Sequence, residues 1–288
     1  MASSDLAARV NRQRLLAHLH LLEGERHPRT SPLHLAEAQQ YVRDTWSRAG
    51  LRLVLDEFSY SNTRFVNLIA RPTACPPGPR LIVGAHVDTV TGSPGADDNA
   101  SGVAVLLETA QLIAESGRAL AVEFVAFTLE EEGMIGSSHY ARALRQRRGP
   151  LRGMLSLEMV GFTESSGLQH YPWFLRGRYP AVGTYLGLVG NGRSRQLLAA
   201  TAAACRTVDG LAAETILIPG RGGLLPESRL SDHAPFWDAG YPALLVTDTA
   251  FFRNPHYHQP TDTVDTLDVP FMVKVTQGML TTIEQLAS

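Results

Sequence analysis

Acidic and imidazole side chains recur in five short segments of the sequence, most of them directly after apolar runs that are typical of buried strands. The segments are "GAHVDTV" with His86 and Asp88, "PGADDNASG" with Asp97 and Asp98, "LEEEG" with Glu130, Glu131 and Glu132, "LSLEMVG" with Glu158, and "PHYHQPTDT" with His256, His258 and Asp262. Carboxylates and imidazoles accept protons and bind divalent cations. These segments therefore hold the residues with the greatest capacity for chemistry.

Each segment alone has an ordinary structural explanation. An HxD pair is usually a hydrogen-bonded histidine, a glutamate run is usually a solvated helix start, and "GADDNASG" suits a helix N-cap after a glycine turn. Their conjunction is more informative, because the carboxyl ends of strands in an open α/β sheet are where ligands bind. Carboxylates that meet there repel one another unless each is paired or coordinated. The pattern therefore predicts a cation site.

The composition of this set indicates two ions. Two imidazoles and three carboxylates suit zinc and exclude a thiolate site. A single-metal hydrolase usually needs three protein ligands, so five leave one carboxylate to bridge a second ion. Two dications balance Asp98, Glu131, Glu158 and one hydroxide. Glu130 precedes Glu131 in extended chain and points elsewhere, which suits it to accept a proton.

The elements that carry these residues alternate between strand and helix. Apolar runs at "LIVGAHVDTV" and "AVEFVAFT" predict strands buried on both faces, and "SGVAVLLETAQLIAES" predicts a helix ending at Gly117. This alternation predicts one α/β domain over residues 1–288, with a mostly parallel sheet and antiparallel pairing at an edge. Residues 162–183 are too irregular for a routine connection and form a candidate functional loop.

Composition excludes several other classes of protein. A formal net charge of −2 gives no support for a nucleic-acid or anionic-membrane surface. No apolar run approaches the roughly 20 residues of a membrane span, and two cysteines exclude a disulfide scaffold. The polar N-terminus shows no signal peptide, so we expect a cytoplasmic protein, or a secreted one if a signal peptide has been removed.

Six motifs in this order resemble the di-zinc aminopeptidases of the M28 family, which includes secreted bacterial leucine aminopeptidases. They are "GAHVDTV", "PGADDNASGVAVLLE", "FTLEEEGMIGS", "LSLEMVGF", "SDHAPF" and "YHQPTDT". The resemblance runs from about residue 15 to the C-terminus. It implies a three-layer sandwich, with a central mixed, mostly parallel β-sheet flanked by helices, in one catalytic domain that is a monomer.

The resemblance also implies a ligand set for two Zn²⁺ ions, with Co²⁺ or Mn²⁺ as alternatives. Asp98 would bridge the ions, His86 and Glu158 would complete one site, and Glu131 and His258 the other. Glu158 departs from the aspartate that many members have at this position. In the family a non-prolyl cis peptide often follows the bridging aspartate, which here is the Asp98–Asn99 bond.

Other residues receive roles from the same resemblance. Glu130 would be the general base, and Tyr257 would hydrogen-bond the developing oxyanion. Asp88 would orient His86, and Asp262 would do the same near His258. In "SDHAPF", Asp232 and His233 would shape the rim of the site, His233 as a structural residue rather than a ligand.

The implied reaction is hydrolysis of the N-terminal peptide bond by a water that bridges two zinc ions, with Glu130 as the base. Carboxylates of the site would hold the free α-amine of a peptide substrate. A pocket for the first side chain would be lined by aromatic residues, namely Tyr171, Trp173 and Phe174, with Phe251 or Phe252. Two alternatives remain: a glutaminyl cyclase-like aminoacyltransferase with one zinc ion, and a receptor-like binding protein that has lost its metals.

Overall fold

The computed structural model of the protein describes residues 5–167, 169–172 and 175–288. Its helices are α1 (Arg12–Leu22), α2 (Pro32–Arg48), α3 (Gly102–Ser116), α4 (Ile135–Gln146), α5 (Arg195–Cys205), α6 (His233–Asp238) and α7 (Val269–Leu286). Its strands are β1 (Arg52–Tyr60), β2 (Thr63–Arg71), β3 (Arg80–His86), β4 (Val122–Phe127), β5 (Leu151–Glu158), β6 (Tyr185–Asn191), β7 (Ala212–Ile218) and β8 (Ala243–Thr247).

The eight strands form one mixed sheet in the order β1-β2-β4-β3-β5-β8-β6-β7. The four strands β4, β3, β5 and β8 pair in parallel at its centre. Antiparallel pairing is more extensive than the sequence predicts: it joins β1, β2 and β4 on one side, and it also joins β6 to β8 on the other. Strand β7, which the sequence analysis does not predict, then pairs in parallel with β6 at the far edge.

Helices cover both faces of the sheet and complete the predicted three-layer sandwich. The larger core lies on the face that packs against α1, α2, α3, α5 and α7, and α3 is buried on most of its sides. On the opposite face, α4 and α6 pack over Phe127, Met154 and Ile82. Within the described parts of the chain, no helix has the length and hydrophobicity needed to cross a bilayer.

Strand alternation divides the central strands between these two faces. Leu155 and Leu157 of β5 point into the larger core, so Glu158 points to the face of α4 and α6. Ala85 of β3 likewise points into the larger core, so His86 shares the face of Glu158. The polar ends of the strands therefore lie on one side of the sheet and at one rim.

A buried histidine in α1 makes the stability of the fold sensitive to acid. Burial, with Arg14 and Arg48 nearby, lowers the pKa of His18 to about 4. The unfolded chain takes up this proton near pH 6.5 and the folded chain does so only near pH 4, so stability should fall as the pH drops through this interval. The loss in the free energy of unfolding is ~3 kcal/mol once the pH has fallen below the pKa of His18 in the folded protein.

We expect His18→Gln to flatten this part of the pH profile. The measurement is the free energy of unfolding in urea at pH 7 and pH 4.5 for the wild type and the variant. The change between the two pH values is then compared between the two proteins, because the contributions of all other titrating groups are the same in both. His20, on the same helix but exposed, provides the control His20→Gln. Identical slopes for the protein and its His18 variant would contradict the assignment.

Candidate metal centre and active site

The predicted ligands come from five places along the rim of the sheet. His86 and Glu158 are the last residues of β3 and β5, and Glu131 follows β4 after a turn at Leu129, whose φ is 64°. Asp98 lies in the irregular turn Ala96–Ser101 that joins β3 to α3. His258 lies in the loop that follows β8. Residues from distant parts of the sequence thus reach one location.

The five predicted ligands form two groups that share Asp98. His86 Nε2 lies 3.3 Å from Asp98 Oδ1 and 3.2 Å from Glu158 Oε1. His258 Nε2 lies 3.1 Å from Asp98 Oδ2 and 3.4 Å from Glu131 Oε2. In each group the candidate ligand atoms all lie within 4.8 Å of one another, and a third such group joins His86 to Glu130 and Glu131. Asp98 therefore offers one oxygen to each imidazole.

The residues at this centre fit divalent cations. Asp98 Oδ1, Glu131 Oε1 and His258 Nε2 are buried and make no hydrogen bond to any described residue. Burying such polar atoms without partners is costly, and coordination removes the cost. The available donors are nitrogen and oxygen atoms, which zinc accepts readily. The candidate ligands are therefore suited in charge and donor type to bind a divalent cation.

The protein's own charges couple these groups strongly. Burial would lower the pKa of His258, but the adjacent carboxylates of Asp98 and Glu131 raise it to about 10. Burial and the charge of Asp98 raise the pKa of Glu131 to about 7. Burial opposes ionisation of Asp98, yet His258 and His86 lower its pKa. The centre therefore stabilises positive charge at the positions of the imidazoles.

The three consecutive glutamates point to two different places. Glu130 and Glu131 both line the cavity that opens from the centre. The Glu132 carboxylate instead lies 2.7 Å from Arg29 NH2 and 3.5 Å from His27 Nε2. Glu132 is therefore directed away from the centre, whereas the roles of Glu131 as a ligand and of Glu130 as the base stay predictions.

Asp88 acts on the centre through a different contact from the one predicted. Its carboxylate accepts the backbone N–H groups of Glu130 and Glu131 at 3.2 and 3.1 Å, and so holds the segment after β4. The carboxylate lies 3.9 Å from His86 Nδ1, which contacts the backbone oxygen of Asp88 at 3.1 Å. The turn after β4 leaves two buried backbone N–H groups without partners in the sheet, and the Asp88 carboxylate accepts both of them.

Asp262 also differs from its prediction. Its carboxylate accepts the backbone N–H groups of Asp97 and Asp98 at 2.9 and 3.1 Å. It therefore positions the candidate ligand Asp98 rather than His258, because the first N–H groups of a helical turn need acceptors. The Asp98–Asn99 peptide bond is cis, as the resemblance implies.

The two adjacent aspartates of "GADDNASG" have separate roles. Asp98 points into the centre, whereas the Asp97 carboxylate accepts Gly161 N–H at 2.9 Å and the side-chain amide of Asn254 at 2.7 Å. Burial and the nearby Asp248 raise the pKa of Asp97 well above its usual value. Asp97 thus belongs to a buried polar network beneath the centre.

The "SDHAPF" segment contributes one contact that the sequence analysis missed. Ser231 Oγ donates to Glu158 Oε2 at 2.8 Å and orients this candidate ligand, although nothing distinguishes the serine in the sequence. His233 is buried, its Nε2 lies 2.8 Å from the backbone oxygen of Ser228, and its ring packs edge-on against Trp237, so it is not a member of the candidate ligand groups. Burial raises the pKa of Asp232 to about 7, against the opposing effect of His86.

Two residues around His258 differ in their relation to the centre. The Tyr257 ring stacks on the His258 ring with centroids 3.7 Å apart, and Tyr257 lines the cavity. Its contact with an oxyanion stays a prediction. His256 contacts Thr261 Oγ1 at 2.8 Å and packs against Phe162, so it turns away from the candidate ligands.

A buried arginine supports the turn that carries Asp98, and the sequence analysis missed it. The guanidinium of Arg26 donates to the backbone oxygens of Val87, Pro94 and Gly95 at 2.7, 3.0 and 2.9 Å. Burial lowers its pKa to about 10, whereas Asp98 and Asp262 act to raise it. Arg26 is therefore a fixed positive charge behind the carboxylates.

A cavity of about 340 Å³ extends from the centre across the sheet. Tyr171, Phe251 and Phe252 line it, as the sequence analysis predicts. Trp173 and Phe174, predicted to join them, lie outside the described residues. The irregular loop of residues 162–183 thus contributes to the wall of a cavity beside the candidate ligands.

Known proteins resemble this chain in sequence. The uncharacterized protein YfbL of Escherichia coli (strain K12) is 32% identical over 272 residues, which cover 88% of this chain and 82% of YfbL. A probable leucine aminopeptidase of Arthroderma otae is 26% identical over 218 residues, covering 70% of this chain and 52% of the fungal protein. The chain therefore spans about half the length of this aminopeptidase.

Solved structures share the fold of the chain. The LapA aminopeptidase of Legionella pneumophila superposes with a TM-score of 0.79 at 17% identity, covering 98% of this chain and 74% of LapA. The glutaminyl cyclase of Porphyromonas gingivalis superposes with a TM-score of 0.68 at 19% identity, covering 98% and 99% of the two chains. At such identities the superpositions establish the fold alone.

The family can be stated from the sequence match. The model of peptidase family M28 matches residues 67–283, a range that contains all five candidate ligands, Glu130 and the cavity-lining loop. The match extends over far more than half of the 288 residues. The chain belongs to peptidase family M28.

Proposed function

We propose that the protein is a metal-dependent aminopeptidase, which hydrolyses the N-terminal peptide bond of a peptide with a free α-amine. The observation that carries this proposal is the position of Asp98, with one oxygen 3.3 Å from His86 and the other 3.1 Å from His258. Membership of a peptidase family and the similarity to a probable leucine aminopeptidase support it.

Two zinc ions are the proposed cofactors, with cobalt or manganese as alternatives. His86, Asp98 and Glu158 would hold one ion, and Asp98, Glu131 and His258 the other. The chemistry that such ions supply when bound is polarisation of a carbonyl group and a lowered pKa of water.

Glu130 is the proposed general base. Burial raises its pKa well above the usual value, against the effect of His86 and with that of Glu158 and Glu131. A carboxylate with a raised pKa accepts a proton from water and returns it to the leaving amine more readily than an ordinary one. Glu130 lines the cavity, where it faces the space that a substrate would occupy.

The exopeptidase character follows from the charge of the centre. Several carboxylates surround a small space, and a positively charged α-amine is the part of a peptide that such a space attracts. Tyr257, stacked on His258, is the proposed donor to the oxyanion of the substrate. An internal peptide bond presents no amine and loses this contact.

The glutaminyl cyclase-like alternative shares the fold but requires one ion. The two ligand groups that share Asp98 favour two ions, because a single-ion site has no need of a carboxylate placed between two imidazoles. Release of ammonia from peptides with N-terminal glutamine, with one zinc ion per chain, would support the cyclase instead.

Comparison of free and N-acetylated peptides tests the proposal. We expect cleavage of aminoacyl 4-nitroanilides and of free tripeptides only after their first residue. The N-acetylated forms should react at least ~10²-fold more slowly. Acetylation removes the positive charge of the α-amine and its hydrogen bonds to the carboxylates, and each hydrogen bond to a charged group contributes about 1.5–3 kcal/mol to binding. Equal cleavage of blocked and free substrates would exclude an aminopeptidase, and a chelator control separates metal-dependent hydrolysis from contamination.

A further inference from the structure

Four residues form a straight row across the sheet, from the centre to the far edge. Glu158 pairs with Thr247, Thr247 pairs with Gly187, and Gly187 pairs with Glu214. Residues paired across adjacent strands point to the same face, so Glu214 shares the face of Glu158. Strands lie ~4.8 Å apart, which places the Cα atoms of Glu214 and Glu158 roughly 14 Å apart.

Between these two glutamates the cavity wall includes a glycine, which leaves space above the sheet. Gly187 has no side chain, and an added Cβ would lie 3.2 Å from the Thr247 backbone oxygen and from Thr249 Cγ2. The cavity runs along this row, since the candidate ligands Asp98 and Glu131 line it together with Glu214. Its walls between the two ends are largely apolar, and they include Leu175, Tyr179, Ile216, Leu225, Leu230 and Leu245.

Glu214 has no partner of its own among the described residues. Its side chain is half-buried and makes no hydrogen bond or ion pair there. The nearby Arg253 is engaged elsewhere: it donates to the Tyr185 backbone oxygen at 2.9 Å and stacks 4.6 Å from the centre of the Tyr185 ring. Glu214 is close enough to Tyr171 and Tyr179 that its charge, after burial, contributes to raising the pKa of both phenols.

A half-buried carboxylate beside largely apolar walls is less well solvated than an exposed one, and a cationic group that enters the cavity can pair with it. We infer that the cavity receives the side chain of the substrate's first residue and that Glu214 binds a cationic group at its tip, so that the protein prefers N-terminal lysine or arginine to leucine. This inference rests on the proposed function and adds a substrate class to it.

The shape of the cavity supports this class of side chain. Lysine and arginine bury an aliphatic stem against apolar surface while the charged group reaches a polar partner. The long aliphatic part of such a side chain extends past Gly187, and the charged group at its end then contacts Glu214. A leucine side chain is too short to do so, and it leaves the carboxylate unpaired.

The test compares lysine with norleucine, which has the same stem without the ammonium group. The substrates are lysyl, arginyl, norleucyl and leucyl 4-nitroanilides, and the proteins are the wild type, Glu214→Gln and the control Glu57→Gln. Glu57 is an exposed glutamate of β1, at the opposite edge of the sheet, and it makes no contact with the cavity.

We expect the wild type to favour lysyl over norleucyl substrate in kcat/KM. Glu214→Gln should lower kcat/KM for the lysyl substrate about 10- to 100-fold, the range that hydrogen bonds to charged groups contribute. Most of the change should appear in KM, because the contact exists in both the ground state and the transition state. The norleucyl substrate should be unaffected, and Glu57→Gln should behave as the wild type.

Inhibition by free L-lysine and L-norleucine provides a readout of binding without turnover. The wild type should bind lysine more tightly, and Glu214→Gln should remove the difference. Glu227, an exposed glutamate, also lines the cavity. An equal loss for lysyl and norleucyl substrates in Glu214→Gln, or a lysine preference that disappears in Glu227→Gln instead, would overturn the inference. Cleavage of leucyl but not lysyl substrates would overturn it while leaving the aminopeptidase intact, and tight lysine binding without any cleavage would overturn the function alone.

Discussion

Replacement of Glu130 by glutamine should lower kcat by about 10²- to 10⁴-fold, the usual contribution of a general base. Glutamine has the same shape but cannot accept a proton from water. Glu130 lines the cavity beside Glu131 and is absent from the two ligand groups that share Asp98, so the variant should retain its zinc ions and its fold. The measurements are kcat and KM on a free aminoacyl substrate, together with zinc content.

Glu132→Gln is the matched control for this experiment. Glu132 is two positions further along the chain, contacts Arg29 and His27, and is not a member of the ligand groups. We expect its kcat to equal that of the wild type. Loss of turnover in Glu132→Gln with full turnover in Glu130→Gln would show that the assignment of the three glutamates is wrong.

Removal of metal should also have a large effect on turnover. Chelation should lower turnover ~10³-fold or more, since the stabilisation of transition-state charge by bound metal is worth several kcal/mol. It should also lower the melting temperature, because Asp98, Glu131 and Glu158 then repel one another without a cation between them. A ligand present at 1,000 times its dissociation constant stabilises the folded state by about 4 kcal/mol.

Stoichiometric return of zinc tests whether the ions share Asp98. We expect activity and melting temperature to recover fully at two zinc ions per chain. His258→Ala should retain one ion, because His86 and Glu158 remain, whereas Asp98→Ala should bind both ions weakly. Full recovery at one ion per chain, or two tightly bound ions in Asp98→Ala, would contradict a shared carboxylate. Asp44→Ala, an exposed aspartate of α2, is the control for loss of a carboxylate.

The candidate ligands could be predicted because they follow buried strands. The apolar runs of β3, β4 and β5 predict strands covered on both faces, and the ends of such parallel strands meet at one rim. His86 and Glu158 are therefore adjacent in space for the same reason that they follow apolar runs in the sequence. The motif order adds Asp98 and His258, which lie in turns and carry no strand signal.

The supporting contacts could not be predicted, because they depend on where backbone groups point. Asp88 and Asp262 were expected to orient imidazoles, yet both accept backbone N–H groups of buried turns. Arg26 and Ser231 also act through atoms whose positions follow from the packed loops. The sequence around a single arginine or serine does not indicate which atom that side chain will contact.

The sequence by itself determined the α/β class and the strands that bear the centre, because burial leaves apolar runs separated by polar segments. The candidate residues at the centre were identified from their positions after these runs and from the resemblance of the motifs to the M28 family. Only the tertiary structure decided the reversed direction of β6 against β8 and the presence of β7 at the edge. Pairing between strands is a contact between distant segments, and a short edge strand with an acidic residue has a weak pattern of its own. The row that joins Glu158 to Glu214 exists only through that pairing.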